Sequence, residues 1–335
     1  MISVAVIGAG SMGKNHIRVF RGMPDVELVA VVDSNPEARE QISHLYCIPT
    51  YSSYQEMLER ERPDAVSVVV PSQLHFTVAK YLLEAGCHVL VEKPIATNLD
   101  DARDLVATAE RLDRILAVGH VERFNPAILE LKRRLDAVEL GTIFQIYARR
   151  LGPFPSRIQD VGVIMDLATH DLDVMRFLTG RNFVRVHAET RQVLNRPHED
   201  LLTGIIRFED NMLGLLEINW ITPTKIRELY VTGERGMFKV NYITQDLTFF
   251  ENAETNGHAG WQALSLLRGV SEGNVMQYAL QKKEPLRSEL ENFISGVRGD
   301  RSNIVYGWDA IQTLAFAREL VTCAYSDAMG EVTVP

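Results

Sequence analysis

The string Gly8-Ala9-Gly10-Ser11-Met12-Gly13 constrains this chain more than any other feature. It follows the apolar run Val4-Ala5-Val6-Ile7 and opens a helical pattern. In a strand-turn-helix unit, Gly8 makes the tight turn, Gly10 lets a ligand approach the backbone, and Gly13 lets the helix pack close to the strand. The N–H groups at Ser11 and Met12 and the helix dipole then face an anion such as a pyrophosphate. Asp33 stands twenty residues beyond Gly13, at the end of a second apolar run, where a carboxylate can accept from ribose hydroxyls. That carboxylate repels the additional phosphate of NADP, and Ser34-Asn35-Pro36 supplies no arginine to offset it. The expected cofactor is NAD.

The rest of the first 119 residues repeats the alternation of strand and helix. Val4 to Ile7, Glu27 to Val32, Ala65 to Val70, His88 to Val91 and Ile115 to Val118 read as strands buried on both faces. Thr77 to Glu84 and Leu99 to Leu112 read as helices between them. This order predicts a parallel sheet covered by helices, a Rossmann domain over residues 1–120. Ligands of such sheets lie beyond the carboxyl ends of the strands. Pro71, Ser72 and His75, with Glu92-Lys93-Pro94, are therefore expected to border the nicotinamide, although His75 is equally suited to a structural role at a helix start.

Beyond residue 120 the pattern changes. Helices are expected at Asn125 to Leu135 and Val163 to Leu178, with a strand at Ile143 to Arg149 and an irregular Gly/Pro segment at Leu151 to Arg157. Six further strands follow: Val184 to Thr190, Gly204 to Phe208, Leu213 to Trp220, Glu228 to Gly233, Met237 to Tyr242 and Leu247 to Glu251. Turn signals such as Glu209-Asp210-Asn211 separate them, which predicts a large, mostly antiparallel open sheet. Helices near Glu289 to Val297 and Asp309 to Tyr325 close the chain. The second domain is expected to be α+β and to span residues 121–335, as a chain of 335 residues exceeds one comfortable core.

Composition narrows the partners. A net charge of -9, with both signs interspersed, argues against nucleic acid. No run approaches the roughly 18 apolar residues of a membrane span, and Met1-Ile2-Ser3-Val4 leads straight into a strand, so a cytoplasmic protein is expected. Cys47, Cys87 and Cys323 have neither metal-ligand nor disulfide-scaffold spacing and read as reduced thiols.

Taken together, the glycine turn, Asp33, Glu92-Lys93-Pro94 and Asp166-Leu167-Ala168-Thr169-His170-Asp171 resemble the glucose-fructose oxidoreductase and inositol 2-dehydrogenase (Gfo/Idh/MocA) family. The resemblance covers nearly the whole chain. It implies a nicotinamide cofactor, reaction at a carbinol carbon of a sugar-like substrate, and assembly as a homodimer or homotetramer through the C-terminal sheet. Lys93, Asp166 and His170 match the family's catalytic set. The segments Gly119-His120-Val121-Glu122-Arg123-Phe124-Asn125-Pro126, Gly152-Pro153-Phe154-Pro155 and Asp160-Val161-Gly162 resemble the subgroup that oxidises the 3-hydroxyl of UDP-N-acetylglucosamine or a related UDP-sugar. Many inositol-type members carry an asparagine and paired arginines near positions 120 to 123, and this chain departs from that pattern.

Removing hydride from a secondary alcohol requires a base that reaches the hydroxyl. On a regular helix from Val163, Asp166, His170 and Asp173 share one face, opposite Ile164, Leu167, Ala168, Leu172, Met175 and Leu178. His170 suits the base, Lys93 the stabilisation of the alkoxide, and Asp166 the orientation of the substrate through a hydroxyl. Lys93 can equally be the base, and residue types alone do not separate the two. Asp171 falls on the apolar side without an evident purpose. No cysteine or third histidine lies at ligand spacing, so no metal is expected. Arg149, Arg150 and Arg157 flank the Gly/Pro segment expected to wall the substrate cleft, where such forks suit a diphosphate, Arg149 and Arg157 first among them, or else form surface ion pairs. The competing functions are an inositol 2-dehydrogenase or free-sugar dehydrogenase, and a non-catalytic NAD-sensing protein on the same fold.

Overall fold

The computed structural model describes residues 1–155, 158, 161–194, 197–253 and 272–324. They belong to two compact units, Met1–Phe124 with Lys283–Ala315, and Asn125–Lys282 with Phe316–Pro335.

The first unit is a parallel, six-stranded sheet. In chain order it runs β1 (Ile2–Ile7), α1 (Ser11–Arg21), β2 (Val26–Val32), α2 (Pro36–Tyr46), β3 (Thr50–Tyr51), α3 (Tyr54–Arg60), β4 (Ala65–Val68), α4 (His75–Glu84), β5 (His88–Glu92), α5 (Leu99–Arg111) and β6 (Leu116–Gly119). The strand order is β3-β2-β1-β4-β5-β6, so the sequence reverses direction between β1 and β4. All four residues of β4 and the centre of β1 are buried, which is why their sequences are continuous apolar runs without alternation. Local chemistry starts the helices: the Asn35 side chain accepts from the N–H groups of Glu37 and Ala38 ahead of Pro36, and Asn98 accepts from Asp101.

The boundary expected near residue 120 falls close to Phe124, but the chain returns. Helix α8 (Pro285–Val297) places Leu286, Leu290, Phe293 and Ile294 in the same core as Ile17, Phe20, Leu90 and Ala117. Those four positions follow the i, i+4, i+7, i+8 spacing of one helix face. Next to it, Val118 N–H donates to Val305 O, and Ala117 bridges Tyr306 in antiparallel fashion along the outer side of β6. Residues 283–315, expected in the second domain, thus belong to the first unit because their apolar face completes its core.

The second unit is built on α6 (Pro126–Asp136), β7 (Ile143–Pro153), a π-helical turn (Ile164–Ala168) continuing into α7 (Thr169–Thr179), and the strands β8 (Phe183–Arg191), β9 (Leu201–Phe208), β10 (Leu213–Asn219), β11 (Ile221–Gly233), β12 (Gly236–Asn241), β13 (Asp246–Asn252) and β14 (Glu272–Tyr278). Helix α9 (Gly307–Ala324) begins in the first unit and ends in the second. The eight strands are ordered β14-β13-β12-β11-β7-β10-β9-β8, antiparallel throughout except for β7 beside β10. One face carries Ile146, Ala148, Leu216, Ile218, Leu229, Val231, Phe238 and Val240 in a core shared with Ile128 and Leu131 of α6 and Leu172 and Met175 of α7.

The other face is polar. Arg149 of β7 contacts Glu217 of β10 at 2.8 Å and Glu228 of β11 at 3.6 Å, and Glu228 in turn meets Lys239 of β12 at 2.9 Å. Tyr147 donates to Glu217, and Tyr230 donates to Glu228. Part of the segment expected to be irregular is strand instead: Leu151 and Pro153 still pair with Ile226 and Ile221 of β11.

Candidate active site

The glycine turn has the geometry a pyrophosphate requires. Gly8 sits at φ +105°, and a Cβ there would lie 2.4 Å from Val69 O. A Cβ on Gly13 would lie 2.0 Å from Gly8 O. At Gly10, by contrast, an added Cβ meets nothing within 4 Å, so the space above the turn is open to a ligand. Helix α1 starts there without a side-chain cap, leaving the Ser11, Met12 and Gly13 N–H groups to an anion. Asp33 follows β2, one oxygen accepting from Ala9 N–H at 2.6 Å and the other from Asn35 N–H at 2.8 Å. Each oxygen keeps a lone pair for a ribose hydroxyl. Ser34 contributes its carbonyl, which with that of Asp33 accepts from the Arg39 guanidinium at 3.0 and 2.7 Å. The residues present therefore fit NAD.

Beyond β4, Pro71 precedes a short 3₁₀ turn, Ser72–Leu74. His75 is buried, with Nδ1 2.7 Å from Pro94 O and Nε2 2.9 Å from Val70 O. Glu92 closes β5 with its carboxylate turned inward: Oε1 lies 3.1 Å from His16 Nε2, and Oε2 accepts from Lys93 N–H at 3.3 Å. Burial pushes the Glu92 pKa up, but the His16 hydrogen bond and the nearby charges of His16 and Lys93 outweigh it and hold the carboxyl below its usual range. A side chain on Gly119 would come within 3.0 Å of that carboxylate, so the glycine makes room for it. His16 Nδ1 also lies 2.8 Å from Ser67 Oγ. Ser67, His16 and Glu92 thus share the pattern of a nucleophile relay, but Ser67 and His16 are wholly buried and present nothing to a substrate. Lys93 itself is half-buried between Glu92 and Pro94, joined to Pro94 by a cis peptide.

In the second unit Asp166 and His170 are both half-buried, on the π-turn and the first turn of α7. The π-turn is closed by the Thr169 N–H, which donates to Ile164 O five residues back. Its start is fixed from a distant loop. The Glu199 carboxylate, 4% exposed, accepts from Ile164 N–H at 3.0 Å, while Val163 N–H donates to Glu199 O. Gly162 passes so close that a Cβ would lie 2.1 Å from the Glu199 carboxylate. Asp173, expected to share the face of Asp166 and His170, is buried, since the five residues from Asp171 to Met175 are all enclosed.

Asp171 acquires a clear purpose. Its carboxylate pairs with Arg150 at 2.7 and 3.0 Å, both side chains buried. Arg150 therefore faces α7, and its neighbour Arg149, one residue away on the same strand, faces the opposite side of the sheet. Arg149 is not brought together with Asp166 and His170; it belongs to the ion-pair ladder across the outer face. Arg157 and Asp160 lie outside the described residues. Glu199 and His16 escaped the sequence reading, as did the pairing of Arg150 with Asp171. For Arg150 the signal was present in strand parity, whereas no local pattern ties Glu199 to Ile164.

Comparison with known proteins resolves the family. Residues 2–120 match the model of the oxidoreductase family with NAD-binding Rossmann fold, and residues 128–239 match the GFO/IDH/MocA C-terminal domain. The chain belongs to the GFO/IDH/MocA oxidoreductase family. It is 29% identical to a UDP-N-acetylglucosamine 3-dehydrogenase of Acidithiobacillus ferrooxidans, over 94% of this chain and 95% of the relative. It is 31% identical to a D-glucoside 3-dehydrogenase of Escherichia coli, over 68% and 72%. A solved structure of the Acidithiobacillus enzyme superposes with a TM-score of 0.84 at 26% identity, covering 96% of this chain and 97% of that one. Membership makes the chain an NAD-dependent oxidoreductase and sets aside the non-catalytic sensor. Among the described residues no helix is long and apolar enough to cross a membrane.

Proposed function

We propose that this protein oxidises the 3-hydroxyl of a UDP-sugar such as UDP-N-acetylglucosamine. The observation that carries the proposal is the correspondence, over nearly the full length of both chains, with a UDP-N-acetylglucosamine 3-dehydrogenase. Bound NAD supplies the hydride acceptor. The chain's own residues handle the proton and the position of the substrate. His170, half-buried on its turn, takes the hydroxyl proton, and Asp166 accepts a hydrogen bond from a neighbouring hydroxyl and so fixes the sugar's orientation. Lys93 donates to the oxygen as negative charge develops on it; exchange of the base role between Lys93 and His170 is the one variant of this scheme. The diphosphate is held by cations other than Arg149, whose guanidinium is committed to Glu217 and Glu228 on the outer face.

A cytoplasmic homodimer or homotetramer formed through the large sheet is part of the same proposal. Light scattering of the purified protein tests the assembly, and a monomer at micromolar concentration overturns it.

A second reading, oxidation of a free sugar or glycoside, is favoured by the 31% identity to a D-glucoside 3-dehydrogenase, with inositol as a further free-polyol candidate. One assay separates them: NADH absorbance after adding NAD and, in turn, UDP-sugars, glucosides, aldoses and inositols. The expected result is turnover with a UDP-sugar at a kcat/KM at least tenfold above any free sugar. Preference for a glucoside or inositol overturns the first reading.

A further inference from the structure

Lys93 occupies a position whose two flanking residues are each held by a buried histidine. On one side is Glu92, whose carboxylate lies 3.1 Å from His16 Nε2; the carboxylate can only accept, so Nε2 carries the proton. His16 is itself anchored by Ser67 Oγ at 2.8 Å and stands on α1, the helix that begins at the glycine turn. On the other side is Pro94, whose carbonyl lies 2.7 Å from His75 Nδ1, while His75 Nε2 lies 2.9 Å from the Val70 carbonyl just past β4. His16 is 0% and His75 1% exposed. Both rings are shielded from solvent, and their partners are the protein's own Glu92, Ser67, Pro94 and Val70.

We propose that His16 and His75 form a clamp that positions Lys93. One arm acts through the Glu92 carboxylate and the other through the Pro94 carbonyl. The clamp ties the lysine to helix α1 and to strands β4 and β5, so that its amine projects from a fixed main chain. Side chains that act in catalysis must be held within a fraction of an ångström by such supports. The geometry also explains two requirements of the sequence. A Cβ on Gly119 would crowd the Glu92 carboxylate at 3.0 Å, and Ser67, a polar residue in a wholly buried strand, anchors His16. The clamp thereby gives His75 and Glu92 the part of positioning residues for Lys93.

The inference rests on Lys93 serving the reaction proposed above, and the test separates the two. The rate of Lys93 acetylation by acetic anhydride is measured by peptide mass spectrometry on the full-length protein, alongside NADH affinity by fluorescence and kcat and KM with UDP-N-acetylglucosamine. His75→Phe and Glu92→Gln are each expected to raise the Lys93 labelling rate at least threefold and to lower kcat at least tenfold, with the NADH dissociation constant within threefold of the parent. His75→Gln, which restores an amide donor to one carbonyl, is expected to recover part of both losses. Unchanged labelling in folded His75→Phe and Glu92→Gln overturns the clamp, as does a parallel loss of NADH binding or a failure of both to fold. Lys93→Met run beside them is expected to abolish turnover. If it retains turnover, the catalytic role of Lys93 falls, while the labelling result still decides the clamp.

Discussion

Asp33 is the side chain expected to read the cofactor's ribose, and its surroundings hold the opposite potential. Its oxygens are aimed by Ala9 and Asn35, and the Arg39 guanidinium lies against the Asp33 and Ser34 carbonyls. The immediate sequence Ser34-Asn35-Pro36 hides this arginine, because a helical turn separates it from the loop it reaches. Asp33→Ser is therefore expected to bring the NADP dissociation constant to within tenfold of that for NAD, and adding Arg39→Ala to abolish that gain; titration calorimetry with both nucleotides checks it. Unchanged selectivity in Asp33→Ser removes Asp33 as the ribose reader.

Arg149 and Arg150 make a second contrast. Arg150→Met leaves Asp171 charged and buried, a loss of about 3–5 kcal/mol, whereas Arg149→Ala on the solvent side costs under about 1 kcal/mol; denaturant melts of the two variants compare them. Glu92 adds a pH dependence. Its carboxyl is held low in the folded chain, so it contributes stability above the ordinary glutamate range near ~4.3. That stability is lost as pH falls through the lower folded value, and Glu92→Gln should flatten this limb of a melting-temperature profile.

At the scale of elements, the helix carrying Asp166 and His170 was legible as a helix, but its character was not. A regular α-helix read from Val163 puts Asp166, His170 and Asp173 on one face, whereas the actual segment opens with a π-turn at Ile164–Ala168 and is enclosed from Asp171 to Met175. Both departures come from tertiary contacts: Glu199 takes up the N–H at the start, and Arg150 draws Asp171 to the sheet. Neighbours so distant in sequence leave no periodic trace, whereas the strand runs and the glycine turn do, because their constraints are local. The π-turn therefore depends on Glu199 and on the glycine beside it. Glu199→Ala, which leaves the Ile164 N–H without its charged acceptor, is expected to cost about 1.5–3 kcal/mol. Gly162→Ala, which drives a methyl into the same carboxylate, is expected to lower kcat more than NADH affinity. Thermal melting and steady-state kinetics measure the two. A Gly162→Ala enzyme with parental kcat would mean the turn does not set the geometry of Asp166 and His170.

At the scale of the whole molecule, the sequence reading placed apolar residues at 290, 293 and 294 on a helix near Glu289 to Val297, which the structure starts earlier, at Pro285, but it could not say which unit receives them. That depends on which core has an uncovered face. The first unit's does: Leu286, Leu290, Phe293 and Ile294 bury there at roughly 1.5–3 kcal/mol each, an upper estimate of roughly 6–12 kcal/mol in all. This matches the entire stability of an ordinary domain, about 5–15 kcal/mol. The returning segment also lies along β6 through Val305 and Tyr306, covering backbone that would otherwise be an open sheet edge. A fragment of residues 1–124 is consequently expected to lack a cooperative melt and to aggregate, although it holds the glycine turn, Asp33 and Lys93. The same fragment joined by a flexible linker to residues 283–315 is expected to melt cooperatively and to gain about 2.7 kcal/mol from NADH at a hundred times its dissociation constant. Circular-dichroism melts of both, with and without NADH, decide the matter. Cooperative, NADH-stabilised folding of residues 1–124 alone would make the returning helix an accessory to a core that is already complete.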